Sequence, residues 1–324
     1  MLSRAILVTG GAGFIGTNLV RRLLLDFEEK IIVIDNFRLG RKENLVNEER
    51  VIFYNIDLSN ENDVNKLFIE IKRKFIIEEV WHMAANSDIP AGIKDPKVDF
   101  DNTFLTTYNL TKVLNNSFLK KFHFASSSAI YGDHGSLKIK ESTAPLFPIS
   151  NYGSFKLASE AILSSFIEKN ECKLYLYRFP NVVGIPATHG VIFDFIFRLI
   201  DDPEVLNVLG NGKQRKQYIY ISDLIEAMII IKSKSLSKRN VFNIGPLDDG
   251  IKVEEIANLT VSKFFKGANI KFGDENRGWI GDIPKYKYSV KSLLSLGWTP
   301  EYTSHEAVNK AIEDIANQLI SKKS

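Results

Sequence analysis

A chain of 324 residues, 44% hydrophobic and 25% charged, has an ordinary soluble globular composition, long enough for one large domain or two modest ones. Its net charge of +3 gives no ground for a nucleic-acid partner, and the runs Lys72-Arg73-Lys74 and Lys322-Lys323 read as a solvated face and a chain end. The lone Cys172 excludes an internal disulfide and lacks the partners of a metal site. No apolar run approaches the roughly eighteen residues of a membrane span, and the first strand starts too near Met1 for a signal peptide. A cytoplasmic protein with no membrane partner is expected.

Ala5-Ile6-Leu7-Val8 is a continuous apolar run, as in a strand buried on both faces of a parallel sheet. It leads into Thr9-Gly10-Gly11-Ala12-Gly13-Phe14-Ile15-Gly16 and then a helical stretch over 17–25. Gly11, Gly13 and Gly16 satisfy GxGxxG between strand and helix: a tight turn, a close approach to a pyrophosphate, and helix packed on strand. A second strand over 31–34 ends at Asp35, where a carboxylate accepts adenosine ribose hydroxyls and repels a 2′-phosphate. NAD is therefore favoured over NADP, although Arg38 and Arg41 lie close by. A third strand, 51–54, runs to Asp57-Leu58; a helix over 62–74 and a fourth strand, 79–84, follow. This alternation predicts an α/β fold, a doubly wound parallel sheet with ligands at the carboxyl ends of its strands.

Residues 98–114 read as a long helix interrupted by polar Asn102 and Thr106. A fifth strand, 122–125, runs into Ser126-Ser127-Ser128-Ala129-Ile130-Tyr131-Gly132. One of these hydroxyls is well placed to face the next helix, though hydroxyls that merely cap a turn are as common. On that helix Tyr152 and Lys156 lie one turn apart on one face. An ammonium beside a phenol favours the phenolate, so Tyr152 is the expected base. YxxxK alone is common in ordinary amphipathic helices; following a dinucleotide loop, it reads as chemistry. A sixth strand spans 174–179. Beyond Gly184 the alternation fades into helices near 191–201 and 222–233 with short strands between. The expected division is a dinucleotide domain over 1–183 and, over 184–324, a smaller mixed lobe that closes over the sheet edge and carries Arg215, Lys216 and Arg277. His82 and His123 read as packing or cofactor-wall residues.

TGGAGFIG at 9–16, WHMAAN at 81–86, SSSAIYG at 126–132, YGSFK at 152–156, RFPNVVG at 178–184, GNGKQRKQYIYISD at 210–223 and RGWIGDIP at 277–284 stand in one order and spacing. In these the chain resembles the extended short-chain dehydrogenase/reductase family, in its nucleoside-diphosphate-sugar epimerase/dehydratase branch, and is similar to UDP-glucose 4-epimerases. The resemblance implies a Rossmann-type fold and a bound NAD that oxidises the sugar at C4. It puts Gly10, Gly13, Phe14, Ile15, Asp35, Asn36, Asp57, Leu58, Ala84, Ala85, Tyr152 and Lys156 on the cofactor. Tyr152 takes the C4 hydroxyl proton, Lys156 lowers its pKa and holds the nicotinamide ribose, and the strand-end hydroxyl, counted back from Tyr131-Gly132, is Ser127. Asn86, Ser127, Ser128, Asn181, Arg215, Lys216 and Arg277 would meet the nucleotide sugar.

The chain departs from the family directly after Ser127. Dehydratases of this family carry an Asp-Glu or Ser-Glu pair there; Ser128 and Ala129 cannot serve as the acid or base of an elimination. That disfavours a 4,6-dehydratase and the decarboxylases that share the Glu. Lys216-Gln217 replaces a frequent Arg-Asp and leaves base and sugar open, hexose or heptose; Phe193 replaces a frequent Pro. A 4-epimerase acting in surface polysaccharide biosynthesis is expected, with a C4 dehydrogenase that retains NADH as the alternative. A non-catalytic NAD-binding protein fits less well with an intact Ser127, Tyr152 and Lys156. The resemblance, with apolar Phe155, Ala158, Ile162 and Phe166 at helical spacing, also implies a homodimer built on the helices at 98–114 and 152–169.

Overall fold

The computed structural model describes residues 2–115, 117–135, 137–275 and 287–320. Arg277 and the segment 277–284 lie outside the described residues. Two compact units share the chain: residues 1–130, 147–178 and 228–242 form one, and 131–146, 179–227 and 243–324 the other.

The first unit begins with β1 (Ser3–Thr9), α1 (Phe14–Asp26), β2 (Lys30–Asp35), β3 (Val51–Asn55), α2 (Glu61–Lys74) and β4 (Phe75–His82). It continues through α3 (Ile89–Lys94), α4 (Pro96–Asp99), a π-helical turn at Phe100–Leu105, α5 (Thr106–Leu114), β5 (Lys121–Ser127), α6 (Asn151–Lys169) and β6 (Lys173–Phe179). Then come β7 (Asn181–Val183), α7 (Val191–Asp201), β8 (Val205–Val208), β9 (Arg215–Lys216), β10 (Tyr218–Tyr220), α8 (Ile221–Lys234) and β11 (Arg239–Asn243). The second unit closes with β12 (Ile251–Lys252), α9 (Val253–Phe264), β13 (Asn269–Phe272), α10 (Lys291–Leu294) and α11 (Ser304–Ile320).

Seven parallel strands form the main sheet in the order β11-β6-β5-β4-β1-β2-β3. The order reverses between β1 and β4, the place where an open parallel sheet leaves a crevice at its carboxyl ends. The apolar runs become central strands because both faces are covered. Leu7, Ile32, Val80, Phe122 and Leu174 pack with Leu67, Phe68 and Ile71 of α2, Leu110 of α5 and Leu163 and Ile167 of α6. Each such side chain contributes roughly 1.5–3 kcal/mol by leaving water.

Three elements differ from expectation. β4 ends at His82, not residue 84, because Met83 N and Ala84 N turn to the carbonyl and hydroxyl of Thr9. The long helix starts earlier, at Pro96 behind the cap Asp95, and Asn102, its predicted polar interruption, lies in the π turn with its amide on Val98 O. The seventh strand, β11, was not anticipated: RNVFN is short and only partly apolar. Lys72, Arg73 and Lys74 fill the last turn of α2, where cations complement the helix dipole.

The second unit is built from paired short strands, β7 with β10, β8 with β13 and β9 with β12. Within it α11 packs on α7, α9 and β10, burying Val308, Ala311 and Ile312 with Ile192, Phe195 and Ile256. No helix among the described residues is long and apolar enough to cross a membrane.

Candidate active site

The loop after β1 is shaped by close backbone approach. Gly10 has φ 70°, and a Cβ there would lie 2.7 Å from Ala84 N; one on Gly16 would lie 2.1 Å from Gly10 O. Helix α1 then starts on Gly13, which has no side chain to cap it, and no acid stands in its first turn. The first-turn amides, those of Phe14 and Ile15 among them, therefore lack both intrahelical and side-chain acceptors, and an anion such as a pyrophosphate is the partner they fit.

Asp35, at the end of β2, accepts from Ala12 N at 3.0 Å and Phe37 N at 2.8 Å. Burial raises its carboxyl, with the amides of Phe37, Ala12 and Asn36 pulling the other way. Each oxygen keeps a lone pair for a ribose hydroxyl. Asn36 Oδ1 accepts from Arg38 N, Asp57 Oδ1 accepts from the amide and hydroxyl of Ser59, and the carbonyl of buried Leu58 accepts from Asn109 Nδ2. Ala84 and Ala85 are half-buried just past β4. These positions close the ends of neighbouring strands, and the donor set fits a dinucleotide.

Strand periodicity sorts the serines at the end of β5. Ser126 Oγ donates to Glu160 Oε1 at 2.5 Å, and Arg178 grips the same carboxylate at 2.9 and 2.6 Å. Ser127 points to the opposite side, accepts Ala129 N at 3.1 Å and lies near enough to the Tyr152 phenol to favour its ionised form. Ser128, half-buried, opens a short 3₁₀ turn with Ala129, so no carboxylate follows Ser127. Helix α6 is capped by Ser150, whose Oγ accepts Gly153 N at 3.1 Å. It docks so tightly that a Cβ on Gly153 would lie 2.5 Å from Ala129 O. That contact seats Tyr152 in the first turn against Ser127.

One turn later Lys156, 2% exposed, donates to Ala125 O at 2.6 Å, with its Nζ 5.8 Å from the centre of the Tyr152 ring. In the protein alone, burial works against the expected lowering of the Tyr152 phenol. Burial pushes the Tyr152 phenol up to about 12; the Ser127 hydrogen bond opposes this and the Asp99 charge adds to it. Burial also pulls Lys156 down to about 7 against the charges of Asp99 and Glu160. Desolvation is the largest cause of both shifts in the protein alone.

The predicted substrate residues fare differently. Asn86 is buried, its amide donating to Asp88 O and to Asp99 Oδ1. Asn181 is exposed at the start of β7 and reaches Gln217 O at 3.4 Å. Arg215 donates to Gly250 O and pairs with Glu255 at 3.3 Å, and Lys216 is half-buried beside it in β9. His82 bridges Thr9 and Thr107, and burial holds it down at about 3. His123 bonds Tyr177 and stacks on Trp81. Sequence reasoning missed Asp99, Glu160 and Arg178. Glu160 stands one turn after Lys156, a spacing that could have revealed it; Asp99 had no signal.

The sequence profile of the NAD dependent epimerase/dehydratase family matches residues 6–245. The chain belongs to this family. It is an enzyme of the extended short-chain dehydrogenase/reductase class, and its cofactor is NAD. A UDP-glucose 4-epimerase of Lactobacillus helveticus is 28% identical over 95% of this chain and 94% of its own. The crystal structure of a UDP-galactose 4-epimerase is 31% identical, covers 97% of this chain and 99% of its own, and superimposes with a TM-score of 0.84. A Thermus thermophilus UDP-glucose 4-epimerase in complex with NAD is 28% identical, covers 96% and 98%, and has a TM-score of 0.82. Dehydratases and decarboxylases of nucleotide sugars also stand among the neighbours.

Proposed function

We propose that this family member is a sugar-nucleotide 4-epimerase that works through Ser127, Tyr152 and Lys156. The reading is supported by Ser127 at the end of β5, Tyr152 in the first turn of α6 and Lys156 buried one turn on, with Ser128 and Ala129 in place of carboxylates. NAD, when bound, would supply the acceptor for the C4 hydride and its source on return. Ser127 holds the C4 oxygen, and ionised Tyr152 takes the hydroxyl proton and gives it back after the sugar has turned. Lys156 orients the nicotinamide ribose and supplies positive charge beside the phenol. The first-turn amides of α1 and the carboxylate of Asp35 hold the pyrophosphate and the adenosine ribose. Asn181, Arg215, Lys216 and Arg277 are proposed for the nucleotide sugar, and Asp35 for preference of NAD over NADP. Elimination needs an acid or base at C5 and C6, and neither residue after Ser127 supplies one.

The test is incubation with UDP-glucose, UDP-galactose and their N-acetyl forms, following product stereochemistry and enzyme-bound NADH together. A C4-inverted sugar with no net NADH is expected. A 4-keto sugar with NADH left on the enzyme would make the protein a C4 dehydrogenase. A product one water lighter than substrate would overturn the reading of Ser128 and Ala129.

A further inference from the structure

Lys156 is a cation almost without water, and its Nζ donates to a carbonyl, Ala125 O. An ammonium in that setting keeps its proton only with a negative charge nearby. Two carboxylates act on it. Asp99 is on α4, which packs against α6, as does α3, where Gly92 O accepts from Asn151 Nδ2. Glu160 is one turn further along α6, and among the described residues neither forms a direct ion pair with Lys156. Glu160 is already answered by two hydrogen bonds from Arg178 and one from Ser126. Asp99 is in another position. It is wholly buried, Asn86 Nδ2 holds its Oδ1 at 2.7 Å, and its Oδ2 meets no hydrogen-bond donor among the described residues. Helix α3 seals the carboxylate: a Cβ on Gly92 would come 1.8 Å from Oδ2. Burial raises the Asp99 carboxyl, while the Asn86 hydrogen bond and the Lys156 charge favour its ionised form and Asp88 opposes it.

We propose that Asp99 is a positioning residue of the hydride-transfer site: held by Asn86, it is the buried counter-charge that keeps Lys156 an ammonium beside Tyr152. The inference rests on the reading of Tyr152 and Lys156 as the proton-handling pair. The groups around Lys156 are the Phe124 ring and the Ala125 carbonyl of β5, His82 of β4, Tyr152 and Glu160 of α6, and Asp99 of α4. Around Tyr152 they are Ser127 and Asp99. Asp99 raises both Lys156 and Tyr152, so removing its charge moves both downward.

Asp99→Asn keeps the shape and an acceptor for Asn86 while deleting the charge. The full chain loaded with NAD is labelled with carbon-13 at lysine Cε, the Lys156 signal being the one lost in Lys156→Met. The Lys156 titration midpoint is expected to fall by about one pH unit in Asp99→Asn, the order of effect of losing an opposite charge from the same buried site. Should that variant not fold, Asp99→Ser is smaller, equally neutral and carries the same expectation. An unchanged midpoint overturns the proposal. In kinetics, the pH–rate curve for reduction of bound NAD by UDP-galactose is expected to move bodily toward acid. A curve lowered at every pH but not displaced would make Asp99 merely structural and also overturn it. If the wild type oxidises none of the nucleotide sugars while the Lys156 midpoint still moves, the functional reading fails and the counter-charge stands.

Discussion

Two residues at the junction of β5 and α6 carry opposite electrostatic burdens. Tyr152 is pushed up to about 12 and Lys156 down to about 7, both by burial first. A general base must ionise, so the rate of C4 oxidation is expected to climb from neutral toward alkaline pH. Tyr152→Phe fills the same space and is expected to cost about two to four orders of magnitude, the usual weight of acid–base catalysis, with little change in melting temperature. Lys156 gives a stability test of known sign. Its folded pKa lies below its ordinary 10.5, so the unfolded chain binds more protons between about 7 and 10.5. Wild type is therefore expected to gain stability relative to Lys156→Met as pH rises through that window. Melting curves of the two proteins at stepped pH check it; a constant difference would show Lys156 is not desolvated. YxxxK was legible because helical spacing is local. The direction of the Tyr152 shift was not, since it depends on burial and on Asp99, distant in sequence and brought near only by folding.

At the scale of elements, tight backbone packing aligns the site. The first six sheet strands were readable because continuous apolar runs mean a strand covered on both faces. β11 was not, since RNVFN is held by the sheet and carries little pattern of its own. The π turn at Phe100–Leu105 also escaped: Asn102 marked an irregularity, but one extra residue per turn leaves no periodic signature over so short a stretch. Gly153 is the clearest element-level test, because an added Cβ meets the backbone oxygen of Ala129, which cannot swing aside. Gly153→Ala is expected to tilt or lift the start of α6, destabilise the chain by roughly 1–3 kcal/mol and separate Tyr152 from Ser127. Activity should fall more than NAD affinity, because the α1 loop and Asp35 are untouched. Calorimetry of NAD binding beside turnover separates the two; equal loss of both would place the damage in the whole unit instead.

At the scale of the whole molecule, one apolar surface of the first unit bears on assembly. Of the face predicted from Phe155, Ala158, Ile162 and Phe166, the last is turned into the core, its ring 6.2 Å from that of Phe122. Phe155, Ala158 and Ile162 stay half-buried. They are joined by rings that the sequence reading did not name: Phe100 and Phe104 lie 5.6 and 6.4 Å from Phe155, and Phe104 lies 6.4 Å from Tyr108. Phe100 is 38% exposed and Tyr108 37%, a cluster that water covers poorly in a lone chain. A second copy presenting the same helices would bury it by two-fold symmetry, as self-complementary faces do. A dimer mass by light scattering at micromolar concentration is expected for the wild type. Phe155→Glu, which puts a charge in the middle of the cluster, is expected to give a monomer that still binds NAD, because the α1 loop and Asp35, proposed to hold the pyrophosphate and the adenosine ribose, lie on other elements. A monomeric wild type would remove the dimer and leave the rings as an unusually apolar surface.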